Sequence, residues 1–249
     1  MKSNVEPIKV YWAATNDDDY PRWNMMYTDP EPVIGDQMKN RNSAAHWSDN
    51  YLQCPAYRSI AGNMYSLITP ISSEYEYQHS PNPAEKGTLT HRSKNFINGM
   101  VVRPPTVNGA PLVRLSMVWL MFAEEPLLME FLPPFLHKTE SSKYGAIIPG
   151  QYDIGQWFRG INPEFQLWDG ETTLKVEEGE PLAYVRFITD RPVELVRFTM
   201  TQQLRDLADS CSGSPATFGV LKPLKDRYRR FMGTKSNNVA LKYIKENLI

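Results

Sequence analysis

Alternating apolar and polar positions dominate the middle of the chain. Runs such as "LVRLSMVWLMFA", "PLLMEFLPPF", "EFQLW", "TLKVEEGEPLAYVRFIT" and "VELVRFTM" have the length of strands, and Pro, Gly or Asp separates them. Side chains two residues apart share one face of a strand. Val118, Leu120, Phe122, Leu128, Phe165, Leu167, Leu182, Tyr184 and Phe198 are therefore expected to point inward. No segment between residues 100 and 200 has the length and period of a crossover helix, which predicts mainly antiparallel pairing.

Outside that region the pattern changes twice. Residues 7–14, "PIKVYWAA", read as a first strand, and a short helix is predicted to begin near Pro55, with Tyr57, Ile60, Ala61 and Met64 on one face. Residues 71–95 read as an exposed strand followed by a long turn. After Thr201 the apolar spacing becomes helical: Leu224, Tyr228, Phe231 and Met232 share one side of a segment, and Val239, Tyr243, Ile244 and Leu248 share one side of the next. Gly233 is the expected helix stop and Ser236 the expected cap of the following start. The predicted fold is mainly β and α+β overall. It has an antiparallel sandwich-type core over residues 1–200, a short helix inserted near 55–66, and a helical tail over 201–249 packed on the core.

Composition sharpens this picture. The 249 residues are 41% hydrophobic and 22% charged, ordinary values for a globular chain. The 20 Pro and 12% aromatic residues fit many short strands with punctuated loops. A formal net charge of −1 supplies no global field toward nucleic acid, so any such binding rests on a local patch. Cys54 and Cys211 are the only cysteines, too few for a disulfide framework or a Cys-based zinc site. The first residues lack the apolar core of a signal peptide, and "MVWLMFAEEPLLMEFLPPFL" is interrupted by Glu124, Glu125, Glu130 and prolines, so neither secretion nor a membrane span is expected.

Candidate chemistry is sparse. Asp17, Asp18 and Asp19 have carboxylates suited to a hard cation but lack EF-hand spacing, and they also suit a solvated turn. His46, His79, His91 and His137 form no local metal motif, so no metal or cofactor is expected. Cys54 immediately precedes the predicted helix, where a thiolate is favoured; a small buried residue at a strand-to-helix junction is the plainer reading.

The densest stretch is "IIPGQYDIGQWFRGINPEFQLWDGETTLKVEEGEPLAYVRF". A Pro-Gly turn precedes an aromatic and an acid; a strand, a charged turn and a polar strand, Gly, apolar strand closure follow. Over about residues 126–190 this order resembles the dUTPase and dCTP-deaminase type of β-clip fold. The resemblance implies a β-clip-like core in which Asp153 orients a water, Arg159 forks onto phosphate oxygens and Gly179 passes a turn closed to a Cβ. The phosphate-binding Ser motif of those enzymes would fall on Ser141 and Ser142, with Lys143 or Lys138 supplying charge. Here Glu140 stands where that motif opens with Arg, and its spacing to Pro149 is short. The bland alternative is structural: Asp153 beside Gly155 also suits a β-turn, and Arg159 a sheet edge.

A broader succession, "CPAY", "FLPPFLH", "IIPGQYDIGQWFRGINPEFQLW", "GEPLAYVRF" and "VRFTMT" ending in a basic helical tail, resembles uncharacterised proteins of tailed phages, especially of marine bacteria, and of some bacteria. That resemblance implies a viral context: a non-catalytic component, in the virion or in the infected cell's cytoplasm, that binds a viral or host protein. A homo-oligomer is compatible with it. The competing classes are a β-clip nucleotide-binding or nucleotide-processing enzyme centred on Asp153, and nucleic-acid binding through the tail. For the tail, Lys225, Arg227, Arg229 and Arg230 interleave with Tyr228 and Phe231. A solvated basic face is the ordinary alternative there.

Overall fold

A computed structural model describes residues 5–15, 25–34, 54–82, 85, 87–92, 99–103, 110–212 and 224–249. The strands in chain order begin with β1 (Ile8–Thr15), β2 (Glu31–Pro32), β3 (Met64–Ile68), β4 (Ser73–Gln78), β5 (Thr88–His91), β6 (Gly99–Arg103), β7 (Leu112–Leu115) and β8 (Val118–Ala123). They continue with β9 (Leu128–Leu132), β10 (Gly145–Ile147), β11 (Gly150–Asp153), β12 (Glu164–Leu167), β13 (Thr173–Val176), β14 (Pro181–Phe187) and β15 (Val193–Arg197). Among the described residues the complete α-helices are α1 (Pro55–Ala61), α2 (Gln202–Ser212), α3 (Leu224–Gly233) and α4 (Ser236–Glu246), and Val33 and Ile34 are also helical. The chain is thus mainly β with a C-terminal helical group, α+β overall.

Among the described residues four sheets form, in the orders β15-β1-β8, β10-β12-β7-β6, β11-β9-β14-β3-β2 and β13-β4-β5. They stack sandwich-like around one large apolar core that includes Trp12, Trp119, Met121, Phe131, Phe165, Leu182 and Phe187. Period-2 geometry explains the long apolar runs of β1 and β8, whose two faces are both covered. Val10, Trp12, Trp119 and Met121 face the large core, while Tyr11, Ala13, Leu120 and Phe122 face a second one. That second core is completed by Leu204, Phe231, Ala240 and Ile244 of the helices. The sheet β15-β1-β8 is a partition between the two.

Several expectations shift. Among the described strands pairing is antiparallel except between β1 and β15, which run parallel from Ile8 opposite Val193; two strands far apart in sequence need no crossover helix between them. Leu128 is 42% exposed, because its neighbours Leu127, Met129 and Phe131 take the inward phase of β9. The other expected core residues are buried. Strand β4 is half-buried rather than exposed, with Tyr75 and Tyr77 inward.

The helix expected near 55–66 ends at Ala61, and Ile60 is exposed. Asn63 takes φ 53°, and its amide donates to the Thr189 and Arg191 carbonyls, so the chain turns and enters β3 at Met64. In the tail α3 stops at Gly233, as expected, while Lys235, φ 58°, takes the N-cap position of α4 and Ser236 is its first helical residue rather than the cap. Ala240 and Ile244 form the buried stripe of α4, leaving Val239 and Leu248 exposed. Leu224 and Tyr228 lie outside the described side chains, as do Asp17, Asp18, Asp19 and His46. Cys54 is exposed, not buried at its junction. Gly179 has φ +81°, a conformation a side chain would strain, in the turn between β13 and β14. No helix among the described residues is long and apolar enough to cross a membrane.

Candidate functional site

Strands β10 and β11 are consecutive yet belong to different sheets, each at its edge. The chain changes sheet at Ile148 and Pro149, and a cleft of about 120 Å³ opens at this corner. Arg114 of β7, Phe131 of β9, Ile148 and Pro149 of the corner, and Tyr152 of β11 line one part of it. The rest is lined by the loop from Trp157 to Asn162 and by Glu164 of β12.

The loop is fixed from behind. Ile161 forms an antiparallel bridge with Trp119 of β8, and Phe158 packs in the second core against Phe122 and Phe231. Gly160 lies so close to β8 that an added Cβ would stand 2.2 Å from Val118 Cγ1. This anchoring presents Trp157 and Arg159 to the cleft. The Arg159 guanidinium lies over the Trp157 ring at 5.1 Å, a cation–π arrangement, and Trp157 meets Tyr152 edge to face at 5.1 Å.

On the other wall Arg114 and Glu164 are direct cross-strand partners. Arg114 donates from Nε to Glu164 Oε1 at 2.8 Å and also from its terminal nitrogen. Burial, and secondarily the Glu164 carboxylate, push the Tyr152 hydroxyl above its ordinary pKa, while Arg159 and Arg114 oppose this shift. The Tyr152 hydroxyl is therefore protonated at neutral pH and available as a donor.

Asp153 does not line the cleft. Its Oδ1 accepts from the backbone N–H of Gly155 at 3.1 Å and of Leu127 at 3.4 Å, and its Oδ2 accepts from the Gln156 amide at 2.6 Å. Its carbonyl accepts from Gln156 and Trp157 N–H. These bonds fasten the turn that leads from β11 to Trp157.

Ser141, Ser142 and Lys143 form a 3₁₀ turn, and none of them lines the cleft. Ser141 Oγ meets Thr139 Oγ1 at 3.1 Å, Ser142 Oγ donates to the Thr139 carbonyl at 2.7 Å, and Lys143 pairs with Glu140. Of the four candidates in the tail, Arg229 and Arg230 are exposed, Arg229 standing 3.9 Å from Asp226. The side chains of Lys225 and Arg227 lie outside the described set.

The structure therefore brings Arg159 together with Arg114, Tyr152, Trp157, Asn162 and Glu164, and not with Asp153 or the Ser141–Lys143 turn. Sequence singles out none of these neighbours of Arg159. Their only local signal is strand parity: Arg114 and Glu164 occupy outward positions between buried neighbours. Among the described residues no three His, Cys, Asp or Glu side chains converge as a metal site would need. No protein-family model matches the chain, and no curated protein matches it, so the corner cleft and its chemistry are the ground for a functional reading.

Proposed function

We propose that the protein is a non-catalytic, phage-encoded binding protein, a virion-associated or host-interaction component, and that the corner cleft is where it engages a protein partner. The observation that carries this reading is the division of labour at the corner. The one acid the β-clip resemblance would make catalytic spends its oxygens on holding a turn, while the cleft beside it is walled by Arg and aromatic side chains. Arg, Trp and Tyr in a partly desolvated recess are the residue types on which protein interfaces concentrate binding energy. The viral context rests on the sequence resemblance to tailed-phage proteins.

The cleft's size also bears on the nucleotide-enzyme alternative. Pockets that take a whole small-molecule ligand span about 300–1,000 Å³, well above the volume at this corner. Two measurements test the proposal. Quantitative mass spectrometry of purified virions is expected to find the protein at stoichiometric copy number if it is a virion component, and its absence there assigns it to the infected cell. Turnover of dUTP or dCTP that disappears in Asp153→Asn would overturn the non-catalytic reading.

A second reading has its own observation. Arg229 and Arg230 are exposed on α3, whose Phe231 is buried against the sheet, so the helix offers cationic groups outward for an acidic surface or a phosphate backbone. Salt-sensitive retention on DNA that is lost in an Arg229→Glu, Arg230→Glu double variant would favour it.

A further inference from the structure

Several half-buried arginines of this fold stand against carboxylates. Arg114 faces Glu164, Arg186 faces Glu130 at 3.0 Å, and Arg197 lies 3.7 Å from Asp29. Arg159 breaks the pattern. It is partly buried and its Nε is shielded from solvent, yet among the described residues it has no hydrogen-bond or ion-pair partner. A guanidinium carries five N–H donors and no acceptor. Leaving such donors unmet in a recess costs free energy that a fold ordinarily avoids.

Two neighbours share this condition. Tyr152 and Asn162 are partly buried, line the same cleft, and make no side-chain hydrogen bond among the described residues. The cleft thus gathers a guanidinium, a phenol and a carboxamide with donors to spare, a set that calls for an acceptor from outside. The cation–π contact with Trp157, 5.1 Å from guanidinium carbon to ring centroid, restrains the position of the guanidinium before any ligand arrives.

Charge selects among acceptors. Arg114 and Glu164 cancel each other, leaving the single positive charge of Arg159. A carboxylate neutralises it one for one and matches the fork in a bidentate pair. A phosphate monoester brings about −1.5 to −2 charges at neutral pH and would face Glu164 with its excess. Size agrees. A cleft of about 120 Å³ has room for the end of a side chain, being a few times the volume of about 30 Å³ that a water occupies in the liquid. Ile148 and Phe131 provide apolar wall for a methylene stem.

We propose that the corner cleft is a carboxylate-binding site, in which Arg159 forks onto an acidic side chain or chain terminus of a protein partner while Tyr152 and Asn162 donate to the same group. This rests on the binding role proposed above and names the chemistry of its partner.

The test uses the full chain and the guanidinium N–H resonances of its arginines, with the Arg159 signal assigned from Arg159→Lys. Acetate, inorganic phosphate and a pair of capped tripeptides, Gly-Glu-Gly and Gly-Gln-Gly, are titrated at constant ionic strength. The Arg159 signal is expected to move saturably with acetate and with the Glu peptide, and not with the Gln peptide. Asn162→Leu and Tyr152→Phe each keep that signal and are expected to weaken carboxylate binding by about tenfold, the loss of one hydrogen bond to a charged group.

An Arg159 signal that ignores acetate and the Glu peptide overturns the proposal, as does an equal response to the Gln peptide. Tighter binding of phosphate than of acetate overturns the carboxylate assignment. These probes need no partner protein, so a negative result removes the ligand chemistry and leaves the binding role standing. Nucleotide turnover dependent on Asp153 would remove the non-catalytic role without touching carboxylate capture.

Discussion

Phe231 of α3 stacks on Phe158 with ring planes 3° apart and centroids separated by 5.8 Å. Phe158 is flanked in sequence by Trp157 and Arg159, so the helical tail buttresses the loop that furnishes one wall of the corner cleft. Phe122 of β8 meets both rings edge to face. A surface that looks remote from the tail is therefore supported by it.

Removing that support has a measurable effect. Phe231→Ala deletes a buried ring and is expected to cost about 3–5 kcal/mol of stability, read from urea denaturation. If the cost falls within about 0.5 kcal/mol, as for exposed surface changes, the tail is not seated on the sheet as described.

Gly160→Ala tests the same loop from its other side. The new methyl would press on Val118 Cγ1, and overpacking of this kind typically costs about 1–3 kcal/mol. Pairing it with Val118→Ala should recover part of the loss, since contacting residues couple. Purely additive effects in the double-mutant cycle would place the two sites out of contact.

Acid sensitivity follows from Glu124. Its carboxyl is held below the ordinary range first by the Tyr11 hydroxyl, which donates to Oε1 at 2.5 Å, and then by the Lys245 ammonium at 2.9 Å. The folded state keeps this group ionised to lower pH than the unfolded chain does. Its stabilisation is therefore present above the unfolded value of about 4.3 and fades as pH falls through the lower folded value. Glu124 is 42% exposed, so screening limits the effect to no more than about 1 kcal/mol. Glu124→Gln is expected to be less stable than the wild type near neutral pH, and the gap is expected to narrow in acid as pH falls through the lowered folded value. An equal gap at both pH values would separate the residue from the acid response.

The two thiols should part company. Burial pushes Cys211 up to about 11, whereas Cys54 is exposed. Titration with an aromatic disulfide reagent is expected to show one thiol reacting at once and the other only when the protein unfolds, because the thiolate is the reactive form. Two fast thiols would mean that Cys211 does not face the second core.

Sequence made the architecture legible where the signal is local. Alternation in "VWLMFA" and "EFQLW" marks strands whatever lies beside them, and helical spacing around Phe231 marks the tail. What it could not carry is phase and register. In "PLLMEF" either leucine can begin the inward phase, and only the packing of Leu127 decides it. Nothing near residue 114 announces Glu164 as its cross-strand partner. Asp153 and Arg159 are equally suited to chemistry on sequence alone, which does not show that backbone N–H groups occupy the one while the Nε of the other meets no acceptor among the described residues.

The parallel pairing of β1 with β15 also orders events in time. A nascent chain that has emerged past residue 123 holds both β1 and its antiparallel partner β8, yet the other edge of β1 has no match until Val193–Arg197 follows. Sequence-distant pairing of this kind is slow to close and leaves an unpaired strand edge open to other chains meanwhile. β1 carries "VYWAA", an apolar stretch suited to such misassociation. Synthesis of the final strand of the sheet is thus the moment at which the open edge of β1 is paired and this route to misassociation closes, while the helices beyond it still have to cover the second core.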